Sequence, residues 1–83
     1  MRTDCITFRS VTPAQRGQRV LQKAGVSSML QRTPRWMEER GCGYCLRLDR
    51  EDLEQAVAVL RREQVSFSKI YIMVDGKPEE MQL

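Results

Sequence analysis

The sequence contains no histidine, and its three cysteines are an odd number. The absence of histidine removes the side chain that most often acts as a general base and as a metal ligand near neutral pH. An odd number of cysteines argues against the paired disulfides of a small secreted domain. The sequence also has no apolar run long enough to span a bilayer and no signal peptide, so we expect a cytoplasmic protein with reduced thiols and no membrane partner.

Aromatic residues are scarce too, at 6% of the 83 residues. A chain of this length forms one small domain with a thin core. We therefore expect a single domain over residues 1–83, with a loose C-terminal tail over residues 76–83. Its arginines are scattered singly and form no basic block, which is typical of a solvated surface. We accordingly expect no nucleic-acid partner.

Hydrophobic periodicity predicts the element order βαββαβ. Short runs rich in β-branched and aromatic residues predict strands over residues 5–10, 26–33, 43–49 and 65–74. A helix begins after the predicted N-cap Thr12 and ends at Gly25. A second helix follows the predicted cap Asp49. Its apolar residues recur at helical spacing: Leu53, Ala56, Val57 and Leu60.

This order predicts an α+β, ferredoxin-like fold, a four-stranded antiparallel sheet with two helices on one face and with strands one and three adjacent. The alternation of side chains along a strand then assigns two sets of residues to opposite faces. The helix-facing set is Ile6, Phe8, Leu46 and Leu48. The set on the open face is Cys5, Thr7, Cys45 and Arg47. This open face is a candidate surface for a homodimer or for docking of another protein.

The segment "ERGCGYCLRLD" places Cys42 and Cys45 in a C-x-x-C spacing. A structural zinc site needs four Cys or His ligands, and one chain supplies three thiols, so zinc would require a metal-linked dimer. A redox dithiol usually has its first cysteine at a helix N-terminus, whereas this pair leads into a strand. A reversible dithiol remains an alternative, and no metal or cofactor is expected in one chain.

Residues 40–47 also match part of the third-strand signature of an RNA recognition motif. The matching residues are Arg40, Gly41, Gly43 and Tyr44. Cys42 stands where that signature has a stacking aromatic residue, and its register would bury Arg47, which is costly. An RNA-binding module of this plan is therefore kept as an alternative function.

Over nearly its whole length the chain resembles the selenium/sulfur carrier-like family of small domains. The resemblance rests on "ITF" before "VTPAQRGQRVLQKAGV", on "QRTPR", on "CGYCLRL" and on "DREDLEQAVAVL". Its most specific element is Cys42-Gly43, with Arg47 five residues after the cysteine. The resemblance implies a thiol-based carrier that holds sulfur or selenium on Cys42 as a persulfide or selenopersulfide. It implies a desulfurase-like donor protein and an acceptor protein as partners, and a carrier rather than an enzyme that converts a metabolite.

A carrier thiol has to be accessible and ionised. Two glycines and two arginines flank the cysteine: Arg40, Gly41, Gly43 and Arg47. The glycines would leave backbone N–H groups free to bind a terminal sulfur anion, and the arginines would favour the thiolate. Cys45 is then either a resolving thiol that attacks the Cys42 persulfide or a buried residue that packs as a small hydrophobe. We expect Cys5 to be a packing residue.

Overall fold

The computed structural model describes residues 3–33 and 43–81. Its elements in chain order are β1 (Thr3–Phe8), α1 (Val11–Lys23), β2 (Met29–Arg32), β3 (Tyr44–Asp49), a 3₁₀ turn (Arg50–Asp52), α2 (Leu53–Arg62), β4 (Ile70–Val74) and β5 (Lys77–Met81). Neither helix of the described residues is long and apolar enough to cross a membrane. The predicted site residues Arg40, Gly41 and Cys42 lie outside the described residues.

The five strands form one antiparallel sheet in the order β2-β3-β1-β4-β5. The prediction of an α+β fold with an antiparallel sheet is confirmed, but the predicted number of four strands is wrong. The expectation of a loose tail is also wrong for Lys77–Met81, which form β5. Asp75 and Gly76 both have positive φ, 51° and 77°, and make a two-residue turn that folds β5 back along β4. Asp-Gly is a preferred sequence for such a hairpin turn.

β1 and β3 lie side by side, as predicted, with Cys5 opposite Arg47 and Thr7 opposite Cys45. β4 is shorter than the predicted strand over residues 65–74, because it begins at Ile70. The segment before it is held to β1 by Thr7. The Lys69 backbone N–H donates to the Thr7 hydroxyl over 3.0 Å, and the Thr7 backbone N–H donates to the Lys69 carbonyl over 2.8 Å.

α1 begins two residues earlier than predicted, at Val11, so the assignment of Thr12 as its N-cap is wrong. The N-cap is Ser10, whose extended backbone (φ −146°) makes no side-chain capping bond. Pro13 still lies in the first turn, where its missing N–H has no intrahelical partner to lose. Gly25 follows the helix with a φ of +83°, and this left-handed conformation ends the helix as predicted.

The core lies between the two helices and one face of the sheet. The predicted helix-facing residues are all buried there together with the predicted set from α2: Ile6, Phe8, Leu46, Leu48, Leu53, Ala56, Val57 and Leu60. Gly17 lets α1 approach closely, since a Cβ at this position would lie 3.1 Å from Phe8 Cζ and 3.3 Å from Leu60 Cδ2. The packing of this face therefore fixes the opposite face as the one that carries the thiols.

An ion pair between the buried Asp4 and the partly exposed Arg50 connects β1 to β4 at one end of the sheet. The fully buried carboxylate of Asp4 accepts hydrogen bonds from Arg50 Nε over 3.1 Å and from Arg50 Nη2 over 3.2 Å. The backbone N–H of Met73 donates to the same carboxylate over 3.2 Å, and the Met73 carbonyl accepts from Arg50 over 2.6 Å. These four bonds hold β4 in register beside β1.

Candidate functional site

Three of the predicted site residues lie in the described part of the chain, and all three belong to β3 or its approach. Gly43 directly precedes β3, whereas Cys45 and Arg47 are two residues apart on it. Two residues apart on a strand means the same face, so Cys45 and Arg47 share one side of the sheet. The described geometry therefore bears on the second half of the C-x-x-C motif.

Gly43 occupies a position that only glycine fits. Its φ is +141°, and a Cβ there would lie 2.9 Å from the Phe8 carbonyl oxygen. Its own carbonyl accepts a hydrogen bond from the Thr33 backbone N–H over 3.1 Å. The backbone conformation thus explains why position 43 is glycine. The chain enters β3 at this residue, between the end of β2 and the end of β1, where a side chain would not fit.

The sheet face turned away from the helices carries both described cysteines. We call it the thiol face, and its residues are Cys5, Thr7, Cys45, Arg47, Tyr71 and Met73. The prediction that it is open is wrong at the cysteines, of which Cys5 is 4% exposed and Cys45 is 0% exposed. Both are covered because Tyr71 and Met73 of β4 pack against them. Arg47 remains exposed on this face.

Cys5 and Cys45 are neighbours across the two central strands. Cys5 lies opposite Arg47, which is two residues from Cys45 along β3. The two cysteines therefore occupy diagonal positions on one face of the sheet. Both are free thiols. The sequence prediction treated Cys5 as a packing residue and did not pair it with Cys45. Strand alternation already placed both on one face, but only the register of β1 on β3 brings the two side chains together.

The two thiols differ in acidity. The hydrogen bond from the Cys5 thiol has the largest effect on the pKa of Cys45. Together with the side chains of Gln31 and Thr33 and the charge of Arg47, and against the effect of burial, it lowers this pKa from its ordinary value of 9.0 to about 7. The same hydrogen bond raises the pKa of Cys5, and burial adds to that effect. The pair therefore loses its first proton from Cys45, close to neutral pH.

Thr33 contributes an unusual group beside this thiol. Its side chain is 7% exposed, and its hydroxyl makes no hydrogen bond among the residues that the structure describes. It lies close enough to the Cys45 sulfur to lower its pKa without reaching hydrogen-bonding geometry. A buried hydroxyl without an acceptor is costly. A thiolate on Cys45 would give this hydroxyl an acceptor.

The described geometry also bears on the two alternative functions. Leu46 and Leu48 are buried and Arg47 is exposed, the reverse of the register that the RNA-binding signature would impose on β3. Tyr71 is the one aromatic side chain on the described thiol face, which leaves little surface for stacking bases. Within residues 3–33 and 43–81, no group of three or more His, Cys, Asp or Glu side chains could hold a metal ion.

Comparison with known proteins gives one match. A family model described as "Putative Se/S carrier protein-like" matches residues 4–72. No curated protein and no solved structure matches the chain. The matched range begins on β1 and ends within β4, so it includes both helices and the C-x-x-C segment and leaves out β5.

Proposed function

The chain belongs to the Se/S carrier protein-like family, and we propose on that premise that it holds a sulfur or selenium atom on Cys42 as a persulfide or selenopersulfide. A desulfurase-like donor protein supplies the atom, and an acceptor protein takes it. The chain is thus a delivery protein, and its chemistry is exchange between sulfurs rather than conversion of a metabolite.

The burial of the other two cysteines supports Cys42 as the carrier. Cys5 is 4% exposed and Cys45 is 0% exposed. Transfer between two proteins requires the thiolate of one to reach the sulfane sulfur on the other. Sulfurs enclosed between strands and side chains are poorly suited to that encounter. Cys42 is therefore the thiol that we assign to exchange with partner proteins.

The proposed loading step balances without a further oxidant. The Cys42 thiolate attacks the outer sulfur of the donor persulfide, a new S–S bond forms, and the donor cysteine leaves as a thiolate. We propose that Arg40 and Arg47 favour the Cys42 thiolate, and that the backbone N–H groups of Gly41 and Gly43 bind the terminal anion.

The test is the mass of the chain after incubation with a cysteine desulfurase and cysteine. The wild type should gain the mass of one sulfur atom, and Cys42→Ser should gain none. Cys5→Ala is the matched control, because it removes a cysteine that we do not assign to loading. An adduct of equal yield on Cys42→Ser would overturn the proposal. The same incubation with selenocysteine as the substrate distinguishes selenium from sulfur as the preferred cargo.

We also propose the ferredoxin-like class for the first four strands. Their order β2-β3-β1-β4 and the packing of both helices on one face support it. A homodimer through the thiol face stays a prediction. Analytical ultracentrifugation of the wild type and of Arg47→Glu would test it, because a charge reversal on that face should weaken association.

A further inference from the structure

We propose that Cys5 and Cys45 form a second thiol site, a buried dithiol that takes the sulfane sulfur from a persulfide and releases it as sulfide while closing to a disulfide. This inference rests on the proposed function only for the source of the persulfide, which in the intact chain is Cys42. The site would turn a carrier that only hands sulfur to another protein into one that also releases it in reduced form.

The positions of the two sulfurs are the first support. Cys5 and Cys45 lie on the two central strands, on the same face and at diagonal positions. Their neighbours Tyr71 and Met73 close the space above them. The two cysteines pack in one buried cluster, and each thiol shifts the pKa of the other. Two thiols in such contact can be joined by one S–S bond, whereas a single buried cysteine has no such partner.

The polar groups around Cys45 are the second and independent support. The Thr33 hydroxyl is buried, has no hydrogen-bond partner among the described residues and lies beside this sulfur. Gln31 lies directly opposite Cys45 on β2, and Arg47 is two residues along β3. All three favour a negative sulfur at Cys45, while Cys5 keeps its proton. The pair is therefore divided into a nucleophile and a proton donor.

The chemistry balances in two steps. The Cys45 thiolate attacks the sulfane sulfur of the persulfide, an S–S bond forms at Cys45, and the original carrier thiolate leaves. The Cys5 sulfur then attacks the Cys45 sulfur, hydrosulfide leaves, and the proton of Cys5 passes to it. The sulfane sulfur gains two electrons and becomes sulfide, and the two cysteines lose two electrons and become a disulfide. A thiol reductant then reopens the disulfide and restores the pair.

The diagonal placement makes the resulting disulfide reversible. Diagonal neighbours in an antiparallel pair have Cα atoms about 7–8 Å apart, whereas a relaxed disulfide spans about 4.4–6.8 Å. Closure would therefore require the backbones of β1 and β3 to move closer together at this point, and strained disulfides are readily reduced. A persulfide could reach Cys45 by local opening of β2. This strand is four residues long and lies at the edge of the sheet beside β3, and short edge strands open locally at low cost.

The test uses Cys42→Ser, in which this pair supplies the only two thiols, and glutathione persulfide as the reagent. We expect one sulfide released for each chain that loses two hydrogens in mass, and a peptide map that links Cys5 to Cys45. The matched variant Cys42→Ser/Cys5→Ala should keep an added sulfur on Cys45 and release sulfide no faster than a chain without cysteine. Circular dichroism checks folding, and Cys5→Val replaces Cys5→Ala if the smaller side chain unfolds the protein.

Thr33→Val supplies a readout that a purely structural role would not change. Without the hydroxyl, the pKa of Cys45 should rise, so sulfide release should slow at neutral pH and recover at alkaline pH. Equal slowing at both pH values, or no Cys5–Cys45 link, would overturn the inference. A wild-type disulfide that joins Cys42 to Cys45 and leaves Cys5 free would overturn it as well.

Failure of the two proposals can be told apart. If Cys42 loads from the desulfurase but the Cys5–Cys45 link never forms, the carrier function stands and the dithiol site is wrong. If Cys42 never loads but Cys42→Ser still links Cys5 to Cys45 and releases sulfide, the dithiol site stands and the carrier function is wrong.

Discussion

Both faces of the central sheet contain buried side chains, but the buried side chains on the two faces differ in chemistry. Leu46 and Cys45 are adjacent in β3, and each is 0% exposed. Leu46 packs into the apolar core under the helices, whereas Cys45 contacts Cys5 and side chains of β4. Burial on the first face stabilises the fold through apolar area. Burial on the thiol face encloses ionisable and hydrogen-bonding groups, and this difference distinguishes a site from a core.

The sharpest test of this comparison is a pair of neighbouring truncations. Leu46→Ala should lower the free energy of unfolding by about 2–5 kcal/mol, because it leaves a cavity in the core. Cys45→Ala should lower it by only about 1 kcal/mol, since one sulfur atom is removed. Urea unfolding followed by circular dichroism measures both. Equal losses would mean that the thiol face stabilises the fold as the core does.

Loss of the ion pair at the end of the sheet should have a smaller effect than the truncation of Leu46. Asp4→Asn removes the charge that binds Arg50 and Met73, and should cost about 2 kcal/mol of unfolding free energy, as for hydrogen bonds to charged groups. Asp75→Asn is the matched control, since Asp75 is exposed in a turn whose positive φ asparagine also adopts. Urea unfolding of both variants checks this, and an equal loss in the control would contradict it.

Gly76 and Gly43 both have positive φ, but only Gly43 is also crowded by a neighbouring strand. Alanine substitutions at the two positions therefore separate the cost of backbone strain from the cost of a steric clash. Gly76→Ala should cost about 1–2 kcal/mol, because its φ of +77° disfavours a side chain although no atom lies within 4 Å of the added Cβ. Gly43→Ala should cost more, about 3 kcal/mol, since its Cβ would also meet the Phe8 carbonyl oxygen. Thermal unfolding compares the two variants, and an equal loss would show that β1 moves aside at no cost.

The last comparison concerns the pH dependence of stability. The folded pKa of Cys45, about 7, lies below its ordinary value of 9.0, so the native chain binds fewer protons than the unfolded chain between these values. Stability should therefore rise with pH over this range. Above pH 9.0 the raised pKa of Cys5 reverses the sign, because the native chain keeps a proton that the unfolded chain loses.

This prediction is checked by the difference in unfolding free energy between the wild type and Cys5→Ala/Cys45→Ala, measured against pH. Subtracting the double variant removes the contributions of the other titrating groups. The difference should pass through a maximum near pH 9.0, the ordinary pKa of a thiol. A difference that does not vary with pH would show that the two thiols titrate alike in the folded and unfolded chains.

Features set by local pattern were predictable from the sequence, and features set by pairing between distant segments were not. The spacing of Leu53 and Leu60 predicted the buried face of α2, and strand alternation predicted that Cys5 and Cys45 lie on the face turned away from the helices. β5 was missed because its sequence "KPEEM" lacks strand alternation and forms a strand only by pairing with β4. The burial of Cys45 was missed for a related reason, since Cys45 lies in a cluster with Cys5 of β1 against which Tyr71 and Met73 of β4 pack.

The same division holds at the candidate site. The glycine-cysteine motif was visible as a spacing, and the structure adds why Gly43 must be glycine. The contact between Cys5 and Cys45 joins residues 40 positions apart in the sequence, and it depends on the exact register of β1 on β3. No local pattern contains that register. The assignment of Cys42 as the carrier stays a prediction for the mass measurement.

The fifth strand has a further consequence for how molecules of this protein meet one another. It converts the β4 edge of the sheet into an edge that carries Lys77, Pro78, Glu79 and Glu80. Charged side chains and a proline, which lacks a backbone donor, discourage a strand from another molecule from adding to such an edge. The β4–β5 hairpin therefore also makes it less favourable for molecules at high concentration to polymerise by adding strands at the β5 edge.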